Sequence, residues 1–216
     1  MRALLLLIAA SGAAFASGTE PRLRAAEYPA HIELPGGGSL GLQYHGRGIP
    51  TAKGGVFLGA HIVLEVAYYP PAGEKAELRG GHFLLRIDRM KLGIPPETPG
   101  MVAASLKYSD WEGPRGLQVE AGPVILRPGG GSRRLPGGPQ NPDPARRTGA
   151  RDDGRADPQD LEAGAVQEFA FPEGETRQAV AGYLYYKWGG NLKKMKKLAL
   201  DYSGPGGPAK MDIPLN

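Results

Sequence analysis

Apolar and polar positions alternate with a period of two along most of the chain. In "HIVLEVAYY" Ile62, Leu64, Val66 and Tyr68 share one face while His61, Val63, Glu65 and Ala67 share the other. Such a segment, rich in β-branched and aromatic residues, predicts a strand. "HFLLRID" sets Phe83, Leu85 and Ile87 against Leu84, Arg86 and Asp88, and "MVAASLKYS" sets Val102, Ala104, Leu106 and Tyr108 against Ala103, Ser105 and Lys107. "GLQVEAG" opposes Leu117 and Val119 to Gln118 and Glu120, with "PVILRP" as a short companion. Earlier, "HIELPGGGSLGLQYHG" predicts two strands joined at Pro35 to Gly38, where three glycines admit positive φ. Toward the end come "VQEFAFP", "AVAGYLYYKW" and "LALDYSG", with Gly189-Gly190-Asn191 as a hairpin turn. Pro70-Pro71-Ala72-Gly73 and Pro95-Pro96 punctuate the chain too closely for long helices. With about eight to ten short strands, the expected class is all-β, an antiparallel sandwich whose two inner faces cover each other.

The alternation stops abruptly at Pro128. Residues 128–165 contain no aromatic residue and two leucines, and their six arginines nearly cancel five aspartates and one glutamate. A Pro, Gly, Arg and Asp mixture of this kind buries too little apolar surface to offset its ordering entropy, so this segment is expected to be a long disordered insertion. Residues 166–216 supply only about three strands, too few to close a core alone. Residues 22–127 and 166–216 are therefore expected to form one β-sandwich domain around the insertion.

The strand series ending in "GYLYYKW" and "KLALDY" resembles the last hairpin of an immunoglobulin-like β-sandwich, of the kind found in secreted bacterial proteins. The resemblance covers about the last forty residues. It departs from antibody-type domains in lacking both sheet-bridging cysteines, and Gly182-Tyr183 is a partial match to their tyrosine corner. What the resemblance implies is a fold and no single activity.

Composition narrows compartment and partners. "MRALLLLIAASGAAFASG" opens with Arg2, runs apolar from Ala3 to Ala10 and ends in Ala14-Phe15-Ala16. This is the pattern of a secretory signal peptide over residues 1–16, and its apolar run is too short for a bilayer span. The chain has no cysteine, hence no disulfide and no lipid-attachment thiol. A free periplasmic or extracellular bacterial protein is expected, without a membrane span. Removing Arg2 with the leader changes the balance from 26 minus 22, +4, to 25 minus 22, +3. So small an excess gives little global attraction to polyanions, and nucleic acid is not an expected partner.

Candidate chemistry is sparse. The four histidines, His31, His45, His61 and His82, lack the short spacing of a zinc site, although His31 with Glu33 and His61 with Glu65 could share strand faces. No serine lies in a G-x-S-x-G elbow or S-x-x-K context, so no catalytic residue and no cofactor is expected. Asp110 and Glu112 flank Trp111 at loop spacing, whereas glycosidase acids face each other across a cleft. Asp153, Asp157 and Asp160 reproduce half of a calcium-loop spacing, with Arg151 and Arg155 opposing it.

The stretch "GYLYYKWGGNLKKMKKLALDYSG", residues 182–204, remains. Read as a hairpin, it turns Leu184, Tyr186 and Trp188 inward and Tyr183, Tyr185 and Lys187 outward. Lys193, Lys194, Lys196 and Lys197 sit at the entrance of its second strand, where lysines discourage edge-to-edge pairing. The same lysines beside an outward Tyr183 and Tyr185 platform, with Trp111, form the candidate ligand surface. The expected function is a secreted, non-enzymatic binding or structural module of the bacterial envelope that meets a protein or glycan. A carbohydrate-binding accessory domain is the alternative, and a secreted hydrolase with an unrecognised site the second.

Overall fold

The computed structural model describes residues 18–51, 54–108 and 157–215. The expected leader (1–16), the segments "GLQVEAG" and "PVILRP", Trp111, Asp153 and the expected disordered stretch as far as residue 156 lie outside the described residues.

Antiparallel sheets dominate. Strands β1 (Ala30–Glu33), β2 (Ser39–Tyr44), β5 (His61–Tyr69) and β9 (Val180–Lys187) form a four-stranded sheet in the order β1-β2-β5-β9. A three-stranded sheet runs β11-β10-β7, from β7 (Phe83–Ile87), β10 (Leu198–Tyr202) and β11 (Ala209–Ile213). Among the described residues two further pairs form: β3 (Gly48–Thr51) with β4 (Gly54–Phe57), which are consecutive, and β6 (Ala76–Leu78) with β8 (Gly174–Thr176), which are distant in sequence. The strand expected at β2 forms, and the period-two faces come out as expected at β5, β7 and β10. Leu40, Leu42, Ile62, Leu64, Val66, Tyr68, Leu184 and Tyr186 of the larger sheet share one core with Phe83, Leu85, Ile87, Leu198, Leu200, Tyr202 and Met211 of the smaller one.

Two helices depart from the sequence expectation. Residues 101–109 were expected as a strand, but Pro99–Lys107 forms helix α1, with proline in the first turn, where its missing N–H costs nothing. Its alanines favour a helix, and burial of Val102 and Ala103 on one side selects that reading over the equally alternating strand. Pro158–Glu168 forms helix α2, where residues up to 165 were expected to be disordered and "VQEFAFP" a strand. Ala163 and Val166, three apart, are its buried contacts, too few to stand out in the composition.

The helices pack on each other and, with the β3-β4 pair, cover the second face of β5 and β9 in the four-stranded sheet. Val63, Tyr183 and Tyr185 are buried there with Ile49, Val56, Leu58, Val102, Ala103, Ala163 and Val166. β5 and β9 are thus covered on both sides, and β5 is buried from His61 to Tyr68. Close approach needs glycine at 182, where a Cβ would lie 2.5 Å from the Phe171 Cα. Extended segments outside the helices close the outer edge of β9. Thr19 and Phe171 amides donate to the Ala181 and Tyr183 carbonyls, Glu97 N–H to Tyr185, and Tyr183 N–H to Phe169. An edge that would otherwise invite pairing is satisfied by three separate pieces of chain.

The hairpin expected at 182–204 does not form. β9 belongs to the four-stranded sheet and β10 is the middle strand of the other, so residues 188–197 cross between sheets. Among the described residues, no helix is long and apolar enough to cross a membrane.

Candidate functional site

The crossover between β9 and β10 places the lysine cluster beside an open groove. A 3-10 turn spans Leu192–Lys194, and the Asn191 side chain accepts from the Lys193 amide at 2.9 Å, capping it. On one side Arg47, which follows β2, donates through Nη2 to the carbonyls of Gly190 at 2.6 Å and Trp188 at 3.3 Å, and through Nη1 to Gly59. On the other, Asp88 holds a left-handed backbone (φ 52°), and its Oδ1 accepts from the amides of Lys196 and Lys197 at 2.8 and 2.9 Å. Met195 is buried between these anchors. The turn is therefore fixed by side chains from distant parts of the chain while its lysines point into solvent.

The groove itself, about 670 Å³, is lined by Gln43, Tyr44, His45 and Gly46 on one side and by Leu192, Lys193, Met195 and Leu215 on the other. His45 is held from behind. Its Nε2 lies 3.1 Å from Glu65 Oε2, and its ring meets the Tyr183 ring edge-on at 5.4 Å between centroids. Glu65 also accepts from the Thr19 hydroxyl. Burial, and secondarily the negative charge of Glu65, raise the Tyr183 hydroxyl well above the ordinary phenol value. A second pair, His61 Nε2 to Glu97 Oε2 at 2.8 Å with Lys187 3.7 Å from the same carboxylate, lies farther along β5. His61 and Glu65 do share one face of β5, but each carries a different partner there: Glu65 meets His45, and His61 meets Glu97. The residues between them on that face are covered by the helices.

Several expected site residues take other positions. Tyr183 and Tyr185 are 4% and 1% exposed, so they do not form an outward platform. Lys187 does mark the outer end of β9, but the face beneath it is under the helix layer, which strand alternation alone does not reveal. The Tyr185 hydroxyl donates to the Val166 carbonyl at 2.9 Å in the last turn of α2. Of the four lysines, Lys197 pairs with Asp212 at 3.1 Å, while Lys193, Lys194 and Lys196 have no ion-pair partner among the described residues. Because β10 is paired on both sides, these lysines have no strand edge to protect there, which removes the explanation that the hairpin reading offered. Asp160, expected in a calcium loop, lies in the first turn of α2 and pairs with Lys107 at 2.7 Å. The described residues contain no group of three or more acidic or histidine side chains placed to hold a metal ion.

The other lining residues, Gln43, Tyr44, Gly46 and Leu215, carried no local signal, and neither did the anchor Arg47. They are brought to the crossover by tertiary contacts over long sequence separations. No protein-family model matches the chain, and no curated protein or solved structure matches it.

Proposed function

We propose that this chain is a secreted, non-enzymatic β-sandwich binding module of the bacterial envelope, immunoglobulin-like in architecture, whose ligand surface is the groove at the β9-β10 crossover. The observation that carries the reading is the rigid mounting of the lysine turn. Three lysines without counter-charges among the described residues are held beside a groove by Arg47, Asn191 and Asp88, although β10 has no free edge for them to guard. Holding long cationic side chains on a fixed backbone lowers the ordering cost of meeting a ligand, whereas lysines that serve only solubility gain nothing from it. The carbohydrate alternative loses Tyr183 and Tyr185 as its stacking platform, since both are under the helices. The groove's lining residues include no serine, threonine or cysteine, and His45 turns its ring to Glu65 and Tyr183, so the lining offers contacts for a ligand and no nucleophile–base pair.

Amide NMR of the isotope-labelled chain, titrated with solubilised polysaccharide and protein fractions of a bacterial envelope, tests the proposal. Shifts confined to residues 43–46 and 190–197 are expected. Saturating shifts elsewhere, or turnover in a broad hydrolase screen that a groove substitution abolishes, would refute it.

A further inference from the structure

We infer that the chain pairs with a second copy of itself along β11, antiparallel and about a two-fold axis at Met211, which joins two three-stranded sheets into one. The pairing is independent of the groove reading above and starts from the sheet edges. The two larger sheets have four of them, and the chain itself closes two. Thr19, Glu97 and Phe171 close β9, and Ile94 closes β7 by exchanging both main-chain bonds with Leu85, at 2.9 and 2.7 Å. Among the described residues β1 and β11 stay open. An open edge is a template for another strand.

The ladder fixes which main-chain groups β11 turns outward. Asp88 N–H donates to Lys197 O and Ser203 N–H to His82 O, both at 2.9 Å, so odd-numbered residues of β10 bond to β7. Leu198, Leu200 and Tyr202 therefore bond to β11, where they meet Ile213, Met211 and Ala209. The amides and carbonyls of Lys210 and Asp212 are left on the open side. Pro208 and Pro214 bound this edge at the same parity and add no N–H. So short an edge offers little to a long foreign strand.

The edge is complementary to itself. Turned about Met211, it sets Lys210 opposite Asp212 of the partner subunit, and Asp212 opposite Lys210 of the partner subunit, as hydrogen-bonded pairs with opposite charges on one face. Proline then falls opposite proline, so no donor is wasted. Lys210 is exposed and has no ion-pair partner among the described residues, while Asp212 meets Lys197 at 3.1 Å through Oδ2 and keeps Oδ1. A lone lysine on an edge repels a second copy, whereas a lysine and an aspartate either side of the centre attract one in this register.

β1 repeats the pattern. Residues 29–35 read PAHIELP and residues 208–214 read PAKMDIP, matched at every position by residue type. Leu34 N–H donates to Gly38 O, so even-numbered residues of β1 bond to β2 and the groups of His31 and Glu33 face outward. The Gly36 amide donates to Gly206 O at 2.7 Å, which ties the two turns together, and Ala30 shares a core with Met211 and Ile213. A second copy therefore meets two neighbouring edges built alike.

Sedimentation velocity of the full chain, from about 10 μM to 1 mM at moderate salt, tests the pairing, because so short an interface gives weak, concentration-dependent dimers. Lys210→Glu and Asp212→Lys each set two like-charge pairs across the axis and should weaken dimerisation about ten-fold or more. Mixed in equal amounts, the two variants restore opposite charges at both positions, and dimers should return. Parent-like circular dichroism melts check that each variant is folded. Amide exchange in the parent needs no variant, and at Lys210 and Asp212 it should slow as concentration rises. A parent that stays monomeric across that range, dimers that neither reversal weakens, a mixture of folded variants that stays monomeric, or unchanged exchange at Lys210 and Asp212 would each overturn the inference.

Discussion

Replacing Tyr185 with phenylalanine distinguishes a core residue from a ligand-facing one by removing one oxygen atom. The Tyr185 side chain is 1% exposed, and its hydroxyl donates to Val166 O at 2.9 Å. That carbonyl is one of the last four of α2, which have no partner within an ideal helix. The neighbouring carbonyls are served similarly: Ala165 accepts from the Phe169 amide and Glu168 from the Gly18 amide. Tyr185→Phe keeps the ring and its packing, removes the hydrogen bond and leaves a buried carbonyl without it, a loss of about 1 to 2 kcal/mol. With a urea slope of roughly 2 kcal/mol per molar, the denaturation midpoint should fall by about 0.5 to 1 M at an unchanged slope. Tyr185→Ala, which also empties ring volume, should cost about 3 to 5 kcal/mol. Equilibrium urea unfolding followed by far-ultraviolet circular dichroism provides the assay. A Tyr185→Phe midpoint equal to the parent's would refute the buried position and the docking of α2 on β9, returning Tyr185 to the surface.

Further outcomes follow from the same packing. Gly164→Ala, in α2 with nothing near its Cβ, should stabilise the fold by about 0.5 to 1 kcal/mol, and no gain in thermal melting would count against a helix there. Gly182→Ala, with a Cβ driven to 2.5 Å from Phe171 Cα and 2.7 Å from Ala170 O, should cost about 3 kcal/mol or abolish soluble expression; a parent-like melt would show that the segment after α2 does not cross β9. Burial raises the hydroxyls of Tyr183, Tyr185, Tyr186 and Tyr202 above their ordinary 10.0. A group raised on folding lends stability that is complete below its unfolded value and fades above it, so the contribution of these tyrosines should be constant at neutral pH and decline as pH rises past 10. Spectrophotometric titration should then show phenolate appearing together with unfolding, and full reversible ionisation in a folded chain would contradict the burial.

The strands were legible where the signal is local. β2, β5, β7 and β10 each carry an alternation that only the pleat explains, and the β1-β2 connection carries its glycines where the backbone turns left-handed, at Gly37 and Gly38. The candidate site was half legible. Lys193, Lys194, Lys196 and Lys197 stand out as a run, but the Gln43 to Gly46 wall lies about 150 residues away in sequence, and nothing near it marks it. Tyr183 and Tyr185 were misplaced for a definite reason. Alternation assigns residues to two faces but does not say that both faces are covered, and at β9 both are. Residues 101–107 alternate in either geometry, so the choice of α1 over a strand rested on what lay opposite them.

By itself the sequence determined the antiparallel β character, because side-chain period is a property of each strand's own backbone. It also determined that charge could act only locally, since the 26 basic and 22 acidic residues nearly cancel. Only the tertiary structure decided that β9 and β10 separate into different sheets and that helices α1 and α2 bury the second face of β5 and β9. It also decided that the lysine turn faces a groove. Each of these depends on which apolar surface finds which partner, and that choice is made by contacts between residues far apart in the chain, where neighbours in sequence carry no record of it.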